Sequence, residues 1–507
     1  MRIDALMSVG VLVALVGGCE TGPAGDGAPD KNAPTRDATA AGANPPGVEA
    51  GPSGDGPSDA GGAATVESGG TDASVLSVGI SPLTLVPAFS PSIHDYYVRC
   101  ASGENALTLT VTDANGSTST AVRVSENQEI DVRDQYWIRC LPADFPTITV
   151  TAHPDAGAPT PGWYLVNGTT YAIVLDTNGT PVWYVSAASP LNVDALTPDT
   201  ISFMPNALAP YSYASGPEYK IDALDAAAAT TVTTVGPPTD GHEFRLLPNG
   251  DHLLLAYPME NNVDLVGLQA FGAGETIADC EVQEIDPSGN LVWSWLATDH
   301  VDPVQESIEP AVNNVDDASV VDLFHCNSIE VDSSGNLLLS SRHANALFYI
   351  DRATGTVLWK VGGSAYNKDG ATHVQIVDDP EVAFNLQHDA RFLPNGDITV
   401  FDDHGATTGV ARGVEYTINH SANVATMAFQ YVGSAQSQYE GSFRRYPDGE
   451  SVISWGYIPT DSRILTEINA NGQDVLDVAF DNQVSYRAVK VPLSQLDIGT
   501  LRARTAK

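Results

Sequence analysis

Three histidines stand at matching places in a repeated pattern. The stretches read Gly241-His242-Glu243-Phe244-Arg245-Leu246-Leu247-Pro248-Asn249-Gly250, Phe324-His325-Cys326-Asn327-Ser328-Ile329, and Gln387-His388-Asp389-Ala390-Arg391-Phe392-Leu393-Pro394-Asn395-Gly396. Each His precedes a short apolar run, a Gly-containing turn and a second apolar run; His242 and His388 both stand eight residues before the turn glycine. Equivalent positions of successive repeats meet at a common axis when the repeats pack radially, so the three imidazoles are expected to converge on one pocket. Imidazole titrates near neutrality and serves as a nucleophile or a proton carrier. A satisfied interior histidine is the structural alternative for each ring alone; three at matching positions argue against it. The last repeat reads Glu440-Gly441-Ser442-Phe443 at that point, so the imidazole is not a folding requirement of every repeat.

Four further residues belong to the same argument. Arg342 closes the run Leu339-Ser340-Ser341 in the repeat that His325 opens, and its planar fork matches tetrahedral oxyanions. Its alternative is a salt bridge to one of the many carboxylates. His343, next along an extended strand, is expected on the opposite face. Asn327 is placed to orient a ring or donate to a bound oxyanion. His404, in Asp402-Asp403-His404-Gly405, is expected at the pocket rim. Neither a phosphate-cradling loop, a Gly-x-Ser-x-Gly elbow, a His-Glu-x-x-His run nor a Cys-x-x-Cys pair occurs.

The elements that must hold these residues are strands. Strand–turn–strand units recur at 244–256, 328–340, 390–401 and 443–455; a second kind of unit, with an acidic turn and a Trp, recurs at 175–183, 285–293 and 350–359. Two units make one four-stranded blade. The reading is all-β: a six-bladed β-propeller over 159–507, its first blade completed by the C-terminal strand near 486–491 so that no sheet edge is left open. Insertions at 258–280, 296–321 and 362–386 are expected around the channel mouth. Residues 76–158 alternate short β-type runs with turns and read as a small antiparallel β-sandwich that resembles the cadherin-like modules of secreted bacterial proteins.

Residues 1–19 read as an export signal ending Val16-Gly17-Gly18-Cys19, which resembles a bacterial lipobox with Cys19 as the lipidated residue. An ordinary cleaved signal is the alternative. Residues 20–75 are Gly-, Pro-, Ala-, Asp- and Ser-rich and read as a disordered tether. The expected location is the cell envelope, lipid-anchored; Glu20 after Cys19 points to the outer membrane. The other four cysteines permit three connectivities. Cys100–Cys140 is favoured, both lying in the small N-terminal module, and Cys280–Cys326 is weighed against a buried free thiol at Cys326. The chain has 507 residues with 23 basic against 63 acidic, a net charge of -40. That field repels nucleic acid and anionic membrane surfaces, so contact with a membrane is expected through the lipid alone. An anion can bind only where a local cluster reverses the field.

The His325, Arg342 and His388 runs, with Ile350-Asp351-Arg352-Ala353-Thr354-Gly355 leading to Trp359, together resemble the bacterial arylsulfate sulfotransferases. The resemblance spans roughly residues 160–490 and is strongest between 240 and 405. It implies a six-bladed propeller preceded by a β-sandwich, exported from the cytoplasm. The implied activity moves a sulfuryl group from a phenolic sulfate ester to another phenol, without a nucleotide donor and with no cofactor. It implies His388 as the nucleophile that carries the sulfuryl group, supported by His242, His325 and Arg342. The lipobox, the tether and the acidic surface depart from the family pattern. Two other readings compete: a His-ligated metal site, against which Arg342 argues as a neighbouring cation, and a non-catalytic tethered propeller that binds glycan or protein.

Overall fold

A glycine in the left-handed region closes the same hairpin turn in four repeats. Gly250, Gly335, Gly396 and Gly449 have φ between +86° and +92°, and each N–H donates to the carbonyl three residues back, on Leu247, Asp332, Leu393 and Tyr446. Glycine takes this conformation without steric cost, so apolar runs on either side pair as antiparallel strands. The computed structural model describes residues 64–65, 74–205, 218–226, 228–315, 318–407 and 409–504. The 1–19 leader with Cys19 and most of the 20–75 tether lie outside the described residues.

Six such double hairpins form a propeller. Blade 1 joins Trp163–Asn167, Tyr171–Leu175 and Pro181–Ser186 to the C-terminal strand Val489–Val491, which pairs antiparallel with Trp163–Asn167. Blade 2 starts from Leu191–Thr197, blade 3 from Thr239–Leu246, blade 4 from Cys326–Val331, blade 5 from His388–Phe392 and blade 6 from Ser442–Arg445. These five strands and Val489–Val491 are the innermost of their blades, and successive ones from blade 1 round to blade 6 contact one another. Apolar side chains fill the wedge between blades, as Leu338, Leu347 and Val361 of blade 4 do against Ala390, Val400 and Val414 of blade 5.

The N-terminal sandwich has two sheets. One is Val75–Ser81, Glu104–Asp113 and Gly116–Ser125; the other holds Glu129–Val132, Tyr136–Leu141 and Asp95–Arg99. A disulfide links Cys100 to Cys140 within its core.

Four features differ from the sequence reading. Ala64–Thr65, within the expected tether, pairs with Glu129–Val132 as an edge strand, because backbone pairing needs no large side chain. That pairing and Asp95–Arg99 against Tyr136–Leu141 are parallel, so the sandwich is mixed. Ile148–Ala152, assigned to the sandwich, instead pairs with Asp474–Phe480 and forms the outer edge of blade 6. Thr372–Val377, in the 362–386 insertion, pairs in parallel with the outer strands Val357–Gly362 and Val424–Val432; it stitches blades 4 and 5 at the rim, not at the mouth. The 258–280 and 296–321 insertions supply a separate four-stranded sheet of Met259–Val263, Glu275–Ala278, Ala311–Val315 and Ala318–Asp322.

Candidate active site

Each pocket histidine sits beside an irregularity in its inner strand. The register slips between Thr239 and Phe244 in blade 3, between Cys326 and Ser328 in blade 4, and between His388 and Arg391 in blade 5. His325 and Asp389 have φ of +48° and +57°. Bulges re-aim a side chain that regular pleating would send elsewhere, and here the three rings meet. One ring nitrogen of each of His242, His325 and His388 lies within 4.8 Å of the others; the His242 and His325 rings are 4.9 Å apart, edge to face.

Every one of the three rings is backed by a carboxylate. Nδ1 of His242 lies 2.6 Å from Asp240 Oδ1, Nδ1 of His325 is 2.6 Å from Asp322 Oδ2, and Nδ1 of His388 is 2.7 Å from Asp403 Oδ2. Such a bond places the proton on Nδ1 and turns Nε2 toward the reaction. Burial lowers the pKa of His388 well below the ordinary histidine range, and the Arg342 guanidinium pushes in the same direction. Burial likewise brings His325 down to about 3, against the pull of Asp322. Both rings are therefore neutral.

Arg342 is held at the edge of this cluster. Its Nη1 donates to Nε2 of His343 at 3.0 Å and its Nη2 to the Gln438 carbonyl at 3.0 Å, while Nε is buried without a hydrogen-bond partner among the described residues. His343 was expected to face away. The strand Leu337–Ser341 ends one residue before Arg342, so alternation no longer applies. His343 instead packs its ring 4.8 Å from that of His325 and donates Nδ1–H to the Asp322 carbonyl at 2.9 Å. It is a brace for both Arg342 and His325.

Asn327 and His404 do not join the cluster. Asn327 is fully buried and donates its amide to the carbonyl of Gln387 at 2.7 Å, which ties blade 4 to the residue preceding His388. His404 keeps Nδ1 at 2.9 Å from Thr407 Oγ1, and its Nε2 lies 3.0 Å from Asp402 Oδ2 but out of line for a hydrogen bond. A second disulfide joins Cys280 to Cys326, and Tyr257 donates to the Cys326 carbonyl at 2.5 Å; both fix the backbone next to His325.

One step further along the inner strands, a buried ionic layer closes the axis. Arg391 donates to Glu243 at 2.6 Å and to Asp389 at 2.7 Å; Arg444 forks onto both oxygens of Asp389 at 2.6 and 2.7 Å. Arg487 reaches Glu243 at 3.2 Å and donates to the Asn327 carbonyl at 2.6 Å. Burial alone would raise Glu243, but Arg391 and Arg487 outweigh it and hold the carboxyl down at about 2. Arg391 also donates to Glu330 at 3.3 Å, so three guanidinium groups meet three carboxylates in this layer. Sequence reading missed the layer because its arginines are scattered over three blades.

The spacing of the three ring nitrogens would also suit a metal ion, but the Arg342 guanidinium beside them opposes a divalent cation. It favours an anion. Oxygens of a tetrahedral oxyanion can be met by guanidinium and imidazole donors while a neutral imidazole faces its central atom.

Fold and site thus define a propeller protein with a pocket of three carboxylate-backed imidazoles beside one guanidinium. The family model for arylsulfotransferase (ASST) matches residues 222–481, more than half of the chain. The chain belongs to this sulfotransferase family. No curated protein matches it in sequence. Among solved structures it is similar to a protein from Lactobacillus plantarum, at 14% identity and TM-score 0.34, over 64% of this chain and 82% of that one. It is similar to virginiamycin B lyase from Staphylococcus aureus at 9% identity and TM-score 0.32, over 70% and 90%. A third likeness is to Hsv2 from Kluyveromyces lactis, at 10% identity and TM-score 0.29, over 78% and 100%.

Proposed function

We propose that this sulfotransferase moves a sulfuryl group from a phenolic sulfate ester to a phenol, through a covalent intermediate on His388 and without a nucleotide donor. The observation that carries the reading is His388 itself. It is fully buried, held neutral, with Nδ1 bound to Asp403 and its ring among two other imidazoles. A neutral ring locked in that tautomer presents the Nε2 lone pair, which attacks sulfur in line with the aryl oxygen. The charge that shifts onto the sulfuryl oxygens is met by Arg342, His242 and His325 in a site removed from bulk water. Binding the anion charges the carboxylate-backed ring of His325, so that its second nitrogen donates. Asp403 offsets the positive charge that appears on His388 as the N–S bond forms. A phenol then takes the sulfuryl group from nitrogen, which makes the kinetics ping-pong.

Export belongs to the same reading: the two disulfides suit an oxidising compartment, with Cys19 as the lipid attachment point. Incubation with an aryl sulfate and no acceptor, followed by intact-mass measurement, tests the mechanism. A gain of one sulfuryl group mapping to His388, absent in His388→Asn, is expected. Full turnover by a folded His388→Asn protein sinks the assignment.

A further inference from the structure

In blade 6 the residue eight before the turn glycine is Gly441, and Glu440 stands immediately before it, two residues before the inner strand Ser442–Arg445. Its backbone is confined. Glu440 has φ of +69° and Gly441 has φ of +111°, the left-handed side that costs a residue with a Cβ about 1 kcal/mol or more. A Cβ on Gly441 would stand 2.3 Å from the Phe401 ring, and one on Gly456 would stand 2.4 Å from the Tyr439 carbonyl oxygen and 2.6 Å from that of Glu440. The segment is therefore clamped between blade 5 and the start of the next turn.

What the clamp holds is unusual. Oε2 of Glu440 is buried and has no hydrogen-bond partner among the described residues. A buried carboxyl oxygen left unpaired is costly, and such groups concentrate where chemistry uses them. His242 of blade 3, Asp403 of blade 5 and the neighbouring Tyr439 stand near enough for its charge and theirs to act on one another, with Arg342 anchored on the Gln438 carbonyl two residues before it. Burial raises Glu440 to about 7, with His242 pulling the other way.

The mechanism leaves a vacancy of role. His388 attacks sulfur, and Arg342, His242 and His325 are committed to the sulfuryl oxygens. None of them is left to serve the aryl oxygen, which departs on the side of sulfur opposite His388. We propose that Glu440 is the proton relay of the site: its carboxyl protonates the departing aryl oxygen, and the resulting carboxylate accepts the proton of the incoming phenol. The proposal rests on the sulfohistidine reading. In the first half-reaction the Nε2 lone pair forms the N–S bond, the S–O bonding pair stays with the aryl oxygen, and that oxygen takes the carboxyl proton. In the second, the acceptor O–H proton passes to the carboxylate, its oxygen forms the new S–O bond, and the N–S pair returns to Nε2. A carboxyl that is half-protonated near neutrality suits both directions.

The test compares two donors in wild-type and Glu440→Gln protein. Phenyl sulfate needs help for its leaving group, whereas 4-nitrophenyl sulfate releases a stabilised phenolate. Loss of a general acid costs about 10²–10⁴-fold, so kcat/KM for phenyl sulfate should fall on the order of 10²-fold or more, and for 4-nitrophenyl sulfate by about tenfold or less. The wild-type decline in donor kcat/KM above about pH 7 should vanish in the Gln variant and return in Glu440→Asp. Equal losses with both donors, or an alkaline decline that persists in Glu440→Gln, overturn the proposal. Sulfation of His388 in the Gln variant by 4-nitrophenyl sulfate reports that it is folded. A wild-type protein that is never sulfated at His388 defeats the sulfohistidine reading instead, and the relay with it.

Discussion

Replacing Asp403 by Asn isolates what the carboxylate does for His388. The two side chains are buried and meet at 2.7 Å, so little solvent screens them. Burial pushes the Asp403 carboxyl well above the usual carboxylate range, against the pull of Arg342; as sulfur bonds to Nε2 the ring becomes cationic, draws Asp403 to its charged form and makes it the closest counter-charge. Two unit charges about 4 Å apart interact by about 4 kcal/mol at an effective dielectric near 20. Asn keeps an oxygen that accepts the Nδ1 proton but removes the charge, so the expected loss is about 3–4 kcal/mol in the transition state. At about 1.4 kcal/mol per tenfold, that slows sulfation of His388 by between about 10²-fold and 10³-fold. Rapid-quench mixing with an aryl sulfate and no acceptor, read by intact mass, measures this step alone, and a thermal melt checks that the variant is folded. Adduct formation within about threefold of the wild-type rate would refute the charge argument and leave Asp403 a purely structural partner.

Three more outcomes follow from the same geometry. Arg342→Ala removes a cation that opposes protonation of His388, so the imidazole pKa rises and the acid limb of the sulfation rate moves to higher pH; an unmoved limb contradicts the placement of Arg342. His325 is neutral, held down at about 3, and an anion stabilises its charged form, so sulfate binding should take up protons. Calorimetry in buffers of different ionisation enthalpy reads that uptake, and buffer-independent heats would count against it. Glu243 titrates at about 2 when folded against 4.5 for its ordinary value. A depressed carboxylate contributes stability that is fully present above pH 4.5 and lost as pH falls toward 2. The contribution is about 3 kcal/mol, and urea midpoints at pH 5 and pH 2.5, in wild type and Glu243→Gln, should show the wild type losing the larger share.

The architecture is legible in the chain because its signals are local. Alternating apolar runs and a turn glycine at 250, 335, 396 and 449 identify hairpins without reference to anything distant. Repetition of those hairpins places His242, His325 and His388 at one level of a propeller, and a leftover strand at the C-terminus closes blade 1. Arg342 stands out because basic residues are scarce in this chain.

What tertiary structure decided is how those residues are armed. Asp240 and Asp322 lie two and three residues before their histidines, yet among 63 acidic residues nothing in the sequence marks them; Asp403 reaches His388 only because adjacent strands pair. Strand alternation put His343 on the wrong side, since it was applied one residue past the end of a strand. Bulges and left-handed residues at His325, Asp389 and Glu440 turned the side chains inward. Glu440 stands next to a blank in the histidine pattern, and only the clamp around it shows an unpaired carboxyl. Periodicity carries backbone direction along one strand, whereas the charge state and aim of a buried group depend on neighbours that folding brings from other blades.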